Sequence, residues 1–130
     1  WEWHDQTLVD PATGRLNTLP HFEHTMQRAN LTSVVKTVVG DSPVIAGSWK
    51  EQIGMLFIDG GHGRDVARND YVAWTPHVAV GGTLAIHDVF SDPALGGQAP
   101  YEEIYLAAIS SRNFVETSCT GSLRILQRVK

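Results

Sequence analysis

Acidic residues stand at the ends of apolar runs at three places in the chain. Asp59 closes Met55-Leu56-Phe57-Ile58, the pair His87-Asp88 closes Thr83-Leu84-Ala85-Ile86, and Asp41 follows a β-branched run at 33–39 across Gly40. A carboxylate at the rim of a buried strand loses hydration unless it is paired or bound to something. Three such rims side by side would also repel one another at neutral pH, and a hard divalent cation relieves both costs. Mg²⁺ takes oxygen ligands in octahedral geometry and keeps several waters. Asp59 and Asp88, with His87 as a third ligand, would suit Mg²⁺, Mn²⁺ or Fe²⁺. The plainer alternative is that these acids cap the helices that follow them. Gly60, Gly61 and Gly63 around His62 would let backbone approach a ligand closely. Other chemistries find no support. The chain has no GxxxxGK[ST] loop, no GxGxxG after a strand and no GxSxG elbow. Its one cysteine, Cys119, falls in a hairpin with no evident base beside it.

The elements that must position these residues can be read from periodicity. Asp10-Pro11-Ala12-Thr13-Gly14 signals a turn inside an irregular arm over 1–17. A helix opens at Thr18, which can cap it, with Pro20 tolerated in its first turn and Leu19, Phe22, Met26 and Ala29 on one face. The run at 33–39 reads as a strand and 44–49 as a short helix. The apolar run at 55–58 reads as a strand buried on both faces. A helix over 64–74 follows, with Ala67, Tyr71 and Trp74 inward and Pro76 closing it. Gly81-Gly82 reads as a turn, 83–86 as a further buried strand, and 101–111 as a helix with Ile104 and Ala108 inward. Two strands over 114–118 and 123–129 make a closing hairpin. Alternating strands and helices predict an α/β, Rossmann-like, mainly parallel sheet with a terminal antiparallel hairpin. Ligands of such sheets bind beyond the carboxyl ends of the strands, where Asp41, Asp59 and His87-Asp88 lie.

Composition narrows the classes. The chain has 130 residues, 42% hydrophobic and 18% charged, which is globular rather than disordered. No apolar run is long enough to span a membrane, no secretory leader is visible, and a single cysteine excludes an internal disulfide. A cytoplasmic location is the expectation. A net charge of −4 without a Lys/Arg cluster argues against a nucleic-acid partner.

Phe57-Ile58-Asp59-Gly60-Gly61-His62, then Asp70, Trp74 and Pro76, then Gly81-Gly82-Thr83-Leu84-Ala85-Ile86-His87-Asp88-Val89 form one pattern. It resembles the second half of class I S-adenosylmethionine-dependent methyltransferases, in the branch of small-molecule O-methyltransferases with IDG-x-H and HDV motifs. The resemblance runs from about Leu19 to Val129. It implies that Gly40, Asp41 and Ser42 approach the adenine of S-adenosylmethionine. It implies that Asp59 and Gly60 lie beside the methyl donor, and that Asp59, His87 and Asp88 ligate a metal. His62 becomes the candidate general base or substrate contact, and Asp59 the second catalytic residue. The reaction implied is methyl transfer to a hydroxyl of a small molecule, assisted by Mg²⁺ or another divalent metal.

The family's glycine-rich cofactor loop and the acid after its second strand have no counterpart here. Residues 18–130 are therefore expected to be the C-terminal portion of one Rossmann-like domain lacking its first two strands. The opening on Trp1 reads as the interior of a longer chain. A missing N-terminal segment or a homo-oligomer would complete the sheet. Two other readings stay open: a non-catalytic α/β interaction domain on the same scaffold, and a small metal-dependent hydrolase using Asp59, His62, His87 and Asp88.

Overall fold

The computed structural model describes residues 8–61 and 63–130, which divide into two compact units between Val39 and Gly40. The candidate base His62 and the tryptophans Trp1 and Trp3 lie outside the described residues.

In the first unit the turn at Asp10 forms as its residues dictate. The Asp10 carboxylate accepts the Ala12 N–H at 2.7 Å and its carbonyl accepts the Gly14 N–H at 2.8 Å, which brings Val9 opposite Leu16 in an isolated antiparallel bridge. Helix α1 (Leu19–Arg28) follows, with Pro20 in its first turn. Thr18 occupies the N-cap position but its side chain makes no capping bond. The Asn17 side chain accepts the Leu19 N–H instead, at 3.2 Å. The expected strand at 33–39 does not form. Val34 and Val35 both donate to the Leu31 carbonyl in a turn, and 35–39 has no regular structure. β-branched residues make a strand only where a neighbour takes up their backbone bonds and covers a face. No strand among the described residues pairs with this one, and Val34, Val38 and Val39 are exposed.

The second unit runs α2 (Ser42–Ser48), β1 (Ile53–Ile58), α3 (Arg64–Trp74), a 3₁₀ turn (Thr75–His77) and β2 (Val78–Ile86). A π-helical turn (Pro100–Tyr105) then continues as α4 (Leu106–Ser111), and the hairpin β3 (Phe114–Thr120) and β4 (Leu123–Arg128) closes the chain. The sheet order is β1-β2-β4-β3. β1 and β2 are parallel and joined by α3, while β4 is antiparallel to both β2 and β3. The Rossmann-like α/β class and the terminal hairpin therefore hold, with the expected strand at 33–39 absent from the sheet. Cys119 and Thr120 belong to β3 rather than to its turn.

Gly81-Gly82 is not a turn either. Both glycines lie inside β2, which enters the sheet five residues earlier than the apolar run suggests. The register slips here: Ile53 faces Val78, but Met55 faces Thr83. Gly82 permits the slip, because a Cβ there would sit 2.8 Å from the Ala79 carbonyl oxygen and 3.1 Å from that of Gly54.

Even-numbered strand residues form the core. Ile58, Leu84, Ile86 and Leu126 meet Ala67 of α3 and Ile104 and Ala108 of the last helix, with Leu56, Tyr71, Tyr101 and Tyr105 packed around them. Each large aliphatic side chain buried in this way contributes about 1.5–3 kcal/mol. Arg128 fastens the far end of the sheet, its guanidinium donating to the carbonyls of Thr75, Pro76 and Val78.

Candidate active site at the carboxyl ends of β1 and β2

Register builds the site. Ile58 faces Ile86 in the parallel ladder, so the next residues, Asp59 and His87, leave the sheet side by side. The His87 N–H extends the ladder by one bond, donating to the Ile58 carbonyl at 3.1 Å. One residue on, Asp88 takes a left-handed backbone conformation with φ of 55°. Its carboxylate comes back to the imidazole: His87 Nδ1 lies 3.1 Å from Asp88 Oδ1 and 3.1 Å from Asp59 Oδ1. Ligand-type atoms of all three residues lie within 4.8 Å of one another.

Those two short distances are not hydrogen bonds. His87 Nδ1 is shielded from solvent and has no hydrogen-bond partner. What converges is one imidazole nitrogen and two carboxylate oxygens on part-exposed side chains, a donor set of the kind a divalent cation takes. The residues fit such an ion by type and spacing.

The capping alternative divides the acids. Asp41 is a cap: it occupies the N-cap of α2 and its carboxylate accepts the Val44 N–H at 3.1 Å. Asp59 is not, because the N-cap of α3 is Gly63, with no side-chain bond there. Asp88 leads into a loop and not into a helix.

A groove of about 660 Å³ opens beside Asp59 and runs along β1, the edge strand of the sheet. Ser42, Asp59 and Gly60 all line it. One wall is aromatic: Trp49 and Trp74 meet edge to face with centroids 5.5 Å apart, and Trp74 Nε1 donates to the Ser42 hydroxyl at 2.8 Å. The indole nitrogen of Trp49 is buried without a partner. A second groove, about 320 Å³, is lined by Asp41, Ser42, Gly61 and Asp70. The structure thus gathers Asp41, Ser42, Asp59, Gly60, His87 and Asp88 on one rim of the second unit. Gly40 borders neither groove and packs on Ile45, where a Cβ would come 3.2 Å from Cδ1.

Asp70 was not among the expected site residues, yet it lines both grooves, and its carboxylate lies 3.1 Å from where a Cβ on Gly60 would stand. Its position could have revealed it. Asp70 lies three residues after the buried Ala67 and four before Trp74, on the inward side of α3.

The comparisons with known proteins agree with this fold. A family model described as a methyltransferase domain matches residues 4–89, about two thirds of the chain. The fold is that of a class I S-adenosylmethionine-dependent methyltransferase. The chain belongs to the methyltransferase-domain family. Among solved structures it is similar to the MycE methyltransferase from the mycinamycin biosynthetic pathway in complex with Mg, SAH and mycinamycin VI. The TM-score is 0.54 at 22% identity, over 78% of this chain and 34% of that one. It is also similar to an rRNA methylase from Streptococcus thermophilus, with a TM-score of 0.59 at 14% identity, over 94% of this chain and 70% of that one. At these identities the likeness is one of fold. The chain spans about a third of the length of the MycE structures it matches.

Proposed function

We propose that this chain is the C-terminal portion, residues 18–130, of a Rossmann-like domain that transfers a methyl group from S-adenosylmethionine to a hydroxyl of a small molecule. The observation that carries the reading is the convergence of Asp59, His87 and Asp88 at the ends of two parallel strands in a chain of the methyltransferase family. MycE, of like fold, is a methyltransferase solved with Mg and SAH.

In this reading Asp59, His87 and Asp88 hold a divalent metal. Bound there, the metal would lower the pKa of a substrate hydroxyl, and S-adenosylmethionine would supply a methyl group already activated as a sulfonium. The chain's own residues do the rest. Asp59 stands where the metal site meets the groove, so it orients both partners. Gly60 and Ser42 line the groove in which the donor would lie, whose volume of about 660 Å³ suits a nucleoside-sized ligand. Asp41, through its cap on α2, fixes the position of Ser42. His62 is the proposed proton acceptor, since an imidazole titrates near neutrality. Alignment of donor and acceptor supplies most of the rate, about 7–11 kcal/mol in well-oriented systems.

The net charge of −4 favours a small hydroxylated substrate over a nucleic acid, and the open edge of β1 is the place where a further segment or a second copy would complete the sheet. The test is calorimetric titration with S-adenosylhomocysteine, with and without Mg²⁺. Binding supports the proposal. Metal-dependent turnover of an ester or phosphoester without a methyl donor would point to the hydrolase reading instead. Binding of neither ligand would leave the interaction domain.

A further inference from the structure

Asp88 is held in its left-handed conformation from both sides. Non-glycine residues keep such a conformation only where the surroundings over-determine it. Upstream is the bond from the His87 N–H to Ile58. Downstream, Val89 is buried and its N–H donates to the Ser122 carbonyl, in the turn of the closing hairpin, at 2.9 Å. One residue further the loop folds back on itself. The Gln98 side-chain amide donates to the carbonyls of Phe90 at 3.0 Å and Gly96 at 3.1 Å. The Phe90 ring lies flush on Gly96, where a Cβ would stand 2.6 Å from Cε2. An exposed loop with no such duty has no need to fasten the residue two places after an acidic group so closely.

We infer that Gln98, Gly96 and Phe90 form a clamp that positions Asp88, aiming its carboxylate at His87 and Asp59. These are positioning residues that touch neither substrate nor cofactor. The inference rests on the reading of Asp59, His87 and Asp88 as the holders of a divalent cation.

The test is Mn²⁺ affinity, read by electron paramagnetic resonance, together with thermal unfolding measured without metal. Gly96→Ala should push the Phe90 ring aside and weaken Mn²⁺ binding about tenfold, the scale on which groups that orient metal ligands act. Its unfolding midpoint should stay close to that of the unaltered protein. Adding Phe90→Leu to Gly96→Ala makes room for the new methyl and should restore the affinity. Gln98→Met keeps the volume, removes both donated bonds and should weaken binding likewise, so the inference does not depend on one variant folding. Unchanged affinity in Gly96→Ala and Gln98→Met would overturn the clamp. So would a loss of affinity that merely tracks a loss of stability, or one that Phe90→Leu fails to repair. If the unaltered protein takes up no Mn²⁺, the cation reading itself fails and the clamp falls with it.

Discussion

Asp88 shows how conformation and chemistry can be separated at a single residue. Asp and Asn both tolerate the left-handed region that Asp88 occupies. Asp88→Asn should therefore fold normally, with a stability change within about 0.5 kcal/mol, while losing Mn²⁺ binding. Circular dichroism and metal titration on one sample check both halves. If Asp88→Asn unfolds the chain and metal makes no difference, the acid is structural. Away from the site, Tyr105 has its pKa raised above 10.0, first by its hydrogen bond to Glu116 and then by burial and the charge of that carboxylate. The fold thus favours the neutral phenol. Its stabilising contribution is complete below pH 10.0 and is lost as pH climbs through the raised value, because the unfolded chain releases the proton first. Tyr105→Phe should flatten the decline of stability with pH above that point, seen in denaturation curves taken at successive alkaline pH values. The strand-end acids were legible in the sequence because each closed an apolar run. That Asp41 spends its carboxylate on a cap was not, since a cap and a ligand are the same residue type in the same place until the backbone is seen. Asp70 belonged to the family pattern but was given no role in the site for the opposite reason: it sits mid-helix, where a lone acid looks like a solvated face.

At the scale of elements, the helices and the hairpin followed their periodicity; β1, expected to be buried on both faces, is an edge strand with Met55 and Phe57 exposed, and two further errors share a cause. The segment 33–39 has strand composition but no strand among the described residues to pair with. Gly81-Gly82 has turn composition yet lies within β2 because Gly54 of the neighbouring strand approaches there. In both, the outcome depends on a neighbour distant in sequence, which local propensity does not encode. The second case is testable. Gly82→Ala would place its methyl against the backbone oxygens of Ala79 and Gly54, which have little freedom to yield. It should destabilise the protein by about 1–3 kcal/mol, measured by urea denaturation. The same slip sets the register that brings Asp59 beside His87, so this variant should also weaken Mn²⁺ binding.

For the molecule as a whole, a methyltransferase scaffold carries the proposed metal site at the ends of two parallel strands. The scaffold was legible because alternating strands and helices leave few topologies open. The substrate was not, because the acids and glycines at the strand ends belong to the scaffold and do not select among acceptors. The most direct test is the release of S-adenosylhomocysteine from S-adenosylmethionine, followed by mass spectrometry against a panel of hydroxylated acceptors, in Mg²⁺ and again in excess chelator. The expected result is acceptor-dependent release that stops with chelator and that Asp59→Asn abolishes. Release that is indifferent to chelator and to Asp59→Asn would contradict the role given to Asp59, His87 and Asp88.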